Sequence, residues 1–372
     1  MRQRLRRLHQ RAISLPWKAL GSVGLYNGPQ APVQFVVEKA EWAIKWVGEH
    51  VRKEIEVIRP GTVQITTQPQ RSFSNVVHFG SQYMWLSWGH LLSSRNRFVT
   101  SFFHGKPEDG DDVARHIDTF LHSVRYLDYV VTAAGMMERR LLSWGVPREK
   151  LVRIPIGVDM KVFMPPSSEA RGNARSYFGI PDHAFVIGSF QKDGIGWKDG
   201  MEPKMIKGPD IFLNVIGKLK AAGIPIVALL TGPARGYVKR GLERLSVPFV
   251  HTYVHDHHDL VSCYHALDLY LVTSREEGGP MGLMESMASG VPVVSTRVGM
   301  APDLIVDGAS GMLADEVSAQ DIASKALTLF NLSESSLDGL RSQALRAVKV
   351  ADWPIVAKSH WSDVYQRLID IR

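Results

Sequence analysis

Ser274-Arg275-Glu276-Glu277-Gly278-Gly279-Pro280-Met281-Gly282-Leu283-Met284-Glu285-Ser286-Met287-Ala288-Ser289-Gly290-Val291-Pro292-Val293-Val294 reads as a turn, a short helix and a buried strand in immediate succession. An apolar strand, Leu269 to Thr273, leads into it. Pro280 suits the first helical position, where its missing N–H is not needed, and Gly290 suits the residue that ends a helix. The amides from Gly279 to Gly282 then lie at a helix N-terminus, which is a ready anion site. Glycine there admits close approach by a phosphate or a sugar. Glu277 stands in the loop, where a carboxylate can accept sugar hydroxyls. Glu285 lies roughly 7 Å deeper along the helix at about 1.5 Å per residue. Taken singly, each glutamate has a plainer explanation, a favourable charge near the helix dipole or a solvated face. Together they can grip two hydroxyl-bearing parts of one ligand with phosphates between.

The same alternation runs outward in both directions. Strand candidates at 184–188, 226–231, 249–251, 269–273 and 291–295 alternate with helices at 209–222, 237–245, 260–265 and 280–288. The first half offers strands at 32–37, 63–65, 76–79, 98–103, 128–132 and 151–155, with helices at 40–56, 113–127 and 136–144. Short apolar strands separated by helices predict parallel sheets covered on both faces. The periodicity breaks between Pro165 and Gly179, which places a domain boundary there. The expected division is a basic segment at 1–30, an N-terminal Rossmann-like domain at 31–165, a second at 180–350, and a C-terminal helix at 351–372 packing back on the first. A cleft between the two would take the ligand at the strands' carboxyl ends.

The 372 residues fit two domains, with 45% hydrophobic and 22% charged residues, which excludes a disordered or disulfide-stapled chain. Lys and Arg exceed Asp and Glu by 44 to 37, a net +7. Arg2, Arg4, Arg6, Arg7, Arg11 and Lys18 supply six of the seven, with no acid among residues 1–20. The remaining chain is near neutral, so nucleic acid is not expected as a partner. Leu5, Leu8, Ala12 and Leu15 fall on one helical face among those arginines, with Trp17 beyond. That suits contact with an anionic membrane surface, and a basic tail is the plainer alternative. No apolar run reaches the length of a membrane span and no secretory h-region follows the basic start. Together with a lone cysteine, Cys263, read as a small buried hydrophobe, this predicts a cytoplasmic protein, peripheral on the inner face of the membrane at most.

Glu277-x7-Glu285 followed by Met-Ala-Ser-Gly-Val-Pro-Val-Val resembles the signature of retaining GT-B glycosyltransferases, family 4 (glycosyl transferases group 1). Gly299-Met300-Ala301-Pro302-Asp303-Leu304-Ile305 through Leu313 resembles that family's next motif, with Met300 and Asp303 in place of Gly and Glu. Ile154-Pro155-Ile156-Gly157-Val158-Asp159 resembles its pre-linker signature, and Phe103-His104-Gly105 its N-domain histidine loop. The resemblance covers about residues 76–330. It implies two Rossmann-like domains facing across a cleft and a metal-independent, cofactor-free transfer with retention. A sugar would pass from a nucleotide-diphosphate sugar to a hydroxyl of a glycan or lipid-linked acceptor, in surface polysaccharide or glycolipid assembly. Within it, Glu277 contacts the donor sugar and Glu285 the ribose. The backbone of Gly278, Gly279, Pro280 and Met281 serves sugar and diphosphate, Lys207 the diphosphate, and His104 the sugar from across the cleft.

Two departures from the family pattern stand out. Ser189 occupies the position of a diphosphate-binding Arg, and the enlarged 191–208 loop carries Lys192, Lys198 and Lys204; Lys192 is the candidate to replace that Arg, with solvated loop charge as the alternative for it and the plainer reading for Lys198 and Lys204. Glu38-Lys39-Ala40-Glu41-Trp42 stands where a glycine-rich loop is common, making Lys39 and Trp42 acceptor candidates. The His251, His255, His257 and His258 group lacks zinc-site spacing, and no metal is expected. A catalytically impaired GT-B protein that binds nucleotide sugar or glycan without transfer is the alternative, and a non-transferring nucleotide-sugar enzyme a further one.

Overall fold

The computed structural model describes residues 2–38 and 43–371. The chain divides into two units, Met1–Ile156 with Trp353–Arg372, and Gly157–Asp352. Among the described residues each unit holds one six-stranded, all-parallel sheet. The fold is the GT-B pair of Rossmann-like domains.

In the N-terminal unit the strands are β1 (Val33–Val36), β2 (Val63–Thr66), β3 (Val76–Phe79), β4 (Arg97–Ser101), β5 (Tyr129–Thr132) and β6 (Leu151–Arg153). Their order is β2-β1-β3-β4-β5-β6. Both faces are covered by helices, so the central strands are buried along their length rather than alternating, with Gln34, His78 and Thr100 buried among apolar residues. Val33, Phe35, Val76, Val77, Phe79 and Val99 are all fully buried. The C-terminal residues close this unit. Trp353 stacks on His50 with centroids 4.7 Å apart, and the Tyr365 hydroxyl meets His78 Nδ1 at 2.7 Å. His78 is fully buried, its Nε2 3.0 Å from Ser101 Oγ.

In the C-terminal unit the strands are β7 (Phe185–Phe190), β8 (Ile226–Thr231), β9 (Phe249–Thr252), β10 (Leu269–Val272), β11 (Val293–Ser295) and β12 (Met312–Leu313), ordered β12-β11-β10-β7-β8-β9. One core joins β8, β10 and the Pro209–Ala221 and Ala319–Phe330 helices through Ile187, Phe212, Ile216, Leu230, Leu271 and Ile322.

The structure departs from the sequence expectation in a few places. The 165–179 stretch is not a linker: Ser168–Tyr177 is a helix whose Ser167 cap accepts from the Ala170 amide at 3.1 Å. It docks by charge rather than by an apolar stripe. Arg171 and Arg175 both donate to Asp268, at 2.6 and 2.5 Å. The crossing between units falls instead at Ile156–Gly157. Residues 2–22 form a helix with Pro16 inside it, and Trp17 lies against Tyr26 rather than continuing the leucine face. Pro280 caps the helix that begins at Met281 instead of occupying its first turn. Among the described residues no helix is long and apolar enough to cross a membrane.

Candidate functional site

Read outward from its centre, the C-terminal sheet reverses direction between β7 and β10, since the chain adds β8 and β9 on one side and β11 and β12 on the other. Open α/β sheets take ligands outside the carboxyl ends of the strands at such a point. Two loops leave there, 191–208 after β7 and 273–280 after β10, and they are stitched together. Gly208 has φ +64 and lies so close to the Thr273 carbonyl that a Cβ would sit 1.9 Å from that oxygen, so no other residue fits. Thr273 Oγ1 donates to the Gly208 carbonyl at 3.0 Å, and the Arg275 amide donates to Ile206 O at 2.8 Å. The Arg275 guanidinium then grips Asp210 with two bonds, at 2.9 and 2.7 Å, which holds that carboxyl below the usual range.

This stitching brings Lys207 to Glu277. Lys207 Nζ donates to Glu277 Oε1 at 2.5 Å, and Ser274 Oγ donates to the same oxygen at 2.9 Å. The Glu277 side chain is 11% exposed and that of Lys207 24%, so the pair is half-sheltered yet open to a ligand. Burial and the positive charge of Lys207 hold the Lys204 amine below its ordinary value. Glu277 opposes the shift and Lys192 adds to it. Four charged groups thus act on one another at the loop mouth, three cationic and one anionic.

The 191–208 loop is itself built. Gly194 and Pro203 form an antiparallel bridge, with Ile195 N bonded to Glu202 O and Lys204 N to Asp193 O. The base of this hairpin is pinned by Arg235, which the sequence reading passed over. Arg235 is 1% exposed and donates to Asp193 Oδ1 at 2.9 Å, to the carbonyls of Ser189 and Thr231 at 2.6 and 2.8 Å, and to Ser189 Oγ at 3.3 Å. Burial raises the Asp193 carboxyl, against the pull of Arg235. The only signal in the sequence is a charge in the turn after β8. Ser189, expected as a donor contact, is 1% exposed and committed to Arg235, so its side chain has no surface for a ligand. Lys192 Nζ lies 3.8 Å over the Trp197 ring, at the exposed end of the same hairpin.

Glu285 lies deeper, as the helix rise requires, and is 3% exposed. Both its oxygens are taken by protein donors. His257 Nε2 is 2.7 Å from Oε1, and the Tyr264 hydroxyl donates to Oε2 at 2.7 Å. Burial works to lower His257, but the adjacent Glu285 carboxylate outweighs it and leaves the imidazole raised. Tyr264 is pushed well up by burial and then by Glu285. With both oxygens engaged, Glu285 offers little free surface, whereas the His257 side chain bonded to it is 19% exposed. Of the other histidines in the 251–258 group, His251 Nε2 meets the Gly232 carbonyl at 2.8 Å. Among the described residues no three His, Cys, Asp or Glu are placed to hold a metal.

The remaining expected residues fall as follows. Gly278 is buried, while Gly279, Pro280 and Met281 are half-buried at the start of the Met281–Ala288 helix. Gly299 backs them: a Cβ there would sit 3.0 Å from Gly278 and Gly279 backbone atoms. Gly282 leaves room for the Tyr270 hydroxyl, which a Cβ would approach to 2.1 Å. His104 is an exposed residue of the N-terminal unit, in the segment after β4. Lys39 and Trp42 lie outside the described residues. Cys263 is fully buried, its thiol pushed up to about 12 by burial.

Comparison with known proteins agrees with this geometry. Residues 199–331 match the family model of glycosyl transferases group 1. D-inositol 3-phosphate glycosyltransferase of Corynebacterium urealyticum is 29% identical over 45% of this chain and 40% of its own. A putative colanic acid biosynthesis glycosyltransferase, WcaL, of Salmonella typhimurium is 24% identical over 73% and 65%. The lipopolysaccharide core biosynthesis mannosyltransferase LpsB of Rhizobium meliloti is 26% identical over 57% and 58%. The chain thus spans 40–65% of the length of these relatives. Among solved structures, Anabaena HepE in complex with UDP and glucose aligns with a TM-score of 0.72 at 17% identity, covering 90% of this chain and 99% of that one. Sucrose-phosphate synthase of Thermosynechococcus elongatus aligns at 0.73 with 14% identity, covering 92% and 100%. The resemblance to group 1 glycosyltransferases carried by the Glu277–Val294 motif is shown by these matches.

Proposed function

We propose, from the premise that this is a GT-B chain whose C-terminal unit is of the group 1 glycosyltransferase kind, that the protein transfers a sugar from a nucleoside-diphosphate sugar to a hydroxyl acceptor with retention. The observation that carries the reading is the Lys207–Glu277 pair at the sheet's reversal point, beside the Met281–Ala288 helix N-terminus. Breaking a glycosyl–phosphate bond builds positive charge at the sugar and negative charge on the departing diphosphate. Fixed positive potential at the phosphates is the largest lever available to the protein. Lys207, the amides at the start of the helix, and Lys192 and Lys204 supply it here, and no divalent metal is needed. Glu277 takes sugar hydroxyls, and its bond to Lys207 holds both groups in position before the donor arrives. Glu285, braced by Tyr264, holds His257 toward the ribose. In a same-face reaction the bond from the anomeric carbon to the phosphate oxygen breaks and the bond to the acceptor oxygen forms. The acceptor proton passes to the departing phosphate oxygen.

HepE structures hold UDP and UDP-glucose, and the named relatives act in colanic acid and lipopolysaccharide synthesis. These support a nucleotide-sugar donor and a place in surface polysaccharide or glycolipid assembly. Calorimetric titration with UDP, GDP and ADP tests the donor site. At least one should bind, and Lys207→Ala should weaken that binding about tenfold or more, the loss expected for one charged hydrogen bond. Unchanged affinity in the variant would remove Lys207 from the site.

A further inference from the structure

The Arg2–Ser22 helix is docked inside out. Its buried side is polar and small: Gln10 is 4% and Ser14 2% exposed, Gln10 Nε2 donates to Ser87 Oγ at 3.1 Å, and Gly21 lies against the Phe73 ring. Trp17 completes this side, 4.9 Å from the Tyr26 ring and under the Arg71 guanidinium. At about 100° per residue, Leu8, Ala12, Leu15 and Ala19 fall together on the opposite side, with Leu5 beside them. Leu5, Leu8 and Leu15 are 59–66% exposed, and Val23 and Leu25 extend the apolar surface past the helix end. Single exposed leucines need no explanation, but a contiguous stripe opposite a polar docking face does. Residues 1–20 add six cationic side chains and no acid.

We propose that this stripe is a docking surface for an anionic lipid bilayer. The leucines enter the headgroup–acyl boundary while Arg11 and Lys18 meet lipid phosphates. A second copy of the chain is disfavoured as occupant because two segments of like charge repel. The docked polar face fixes the helix on its unit, so the membrane is met by a prepositioned surface and not by a loose tail. The inference does not depend on the transfer reaction.

Co-sedimentation of the full chain with vesicles tests it. The protein should pellet with phosphatidylcholine vesicles containing one third phosphatidylglycerol and stay in solution with phosphatidylcholine alone. High salt should release it. Leu8→Asp with Leu15→Asp should lower the partition coefficient more than about tenfold. Arg11→Glu with Lys18→Glu should lower it by at least about fivefold per position, as loss of a cation near an anionic surface implies. Leu8→Ser with Leu15→Ser guards against misfolding in the aspartate variant, and thermal unfolding checks all three. Wild-type protein that ignores the anionic vesicles, or leucine variants that bind as the wild type does, would overturn the proposal. So would a concentration-dependent dimer abolished by the leucine variants in the absence of lipid binding.

Discussion

Glu277 and Glu285 are eight residues apart and live in different electrostatic company. Glu277 shares one oxygen with a lysine and a serine at a half-open mouth, whereas Glu285 is buried with a histidine and a tyrosine aimed at it. Substitution should separate the two. Glu277→Gln should leave the unfolding midpoint near wild type and lower turnover by about 10²–10³, the usual cost of one group acting on transition-state charge. Glu285→Ala strands two buried donors, Tyr264 and His257, and should lower stability by about 2–4 kcal/mol in denaturant titration as well as weaken the donor. A Glu285→Ala variant of wild-type stability would contradict the network. The glutamate pair was legible in the sequence because the helix fixes its spacing. The partners of Glu285 were not, because they come from the preceding turn and helix and only the fold brings them near.

The hairpin after β7 shows what periodicity cannot reveal at the scale of an element. Its glycines and lysines read as a solvated loop, and nothing local marks Asp193 as fully buried or Arg235 as its partner 42 residues on. The same holds for Ser168–Tyr177, which docks through arginines on Asp268 and so carries no apolar stripe to detect. The eleven strand candidates, by contrast, each fall on an observed strand, since a strand buried on both faces is written as an apolar run. Only β12, two residues long, was passed over as a strand. Removing one member of a buried ion pair leaves an uncompensated charge. Arg235→Met should therefore destabilise the protein by about 3–5 kcal/mol, and Asp193→Leu in the same chain should recover most of it. With the hairpin base released, Lys192 loses its fixed place, and donor affinity should fall in Arg235→Met and stay low in the double variant. Full recovery of affinity by the double variant would show that the hairpin's attachment does not position the lysine.

At the scale of the whole molecule, two parallel sheets and their helices were expected from the alternation along the chain, but the C-terminal return to the N-terminal unit ends in a buried polar cluster that has a measurable consequence. His360 is buried and held at about 3 by that burial, and His78 is held well below its ordinary value by burial and by His360. Each is lower folded than unfolded, so the unfolded chain binds the extra proton. Their contribution is complete well above pH 6.5 and is lost as pH falls; for His360 the loss by pH 5 is about 2 kcal/mol, and His78 acts in the same direction. His360→Phe should flatten the stability profile by that amount, read from denaturant midpoints across the range, and an unchanged slope would contradict the assignment. The central claim is that Lys207 and Glu277 hold a nucleoside-diphosphate sugar for transfer with retention. Its most direct test is mass spectrometry with anomeric NMR on mixtures of nucleoside-diphosphate sugars and alkyl glycoside acceptors. One donor should add a single sugar in the donor's own anomeric configuration with release of nucleoside diphosphate, at rates about 10²-fold lower or less in Lys207→Ala and Glu277→Gln. An inverted product, or wild-type rates in both variants, would contradict it.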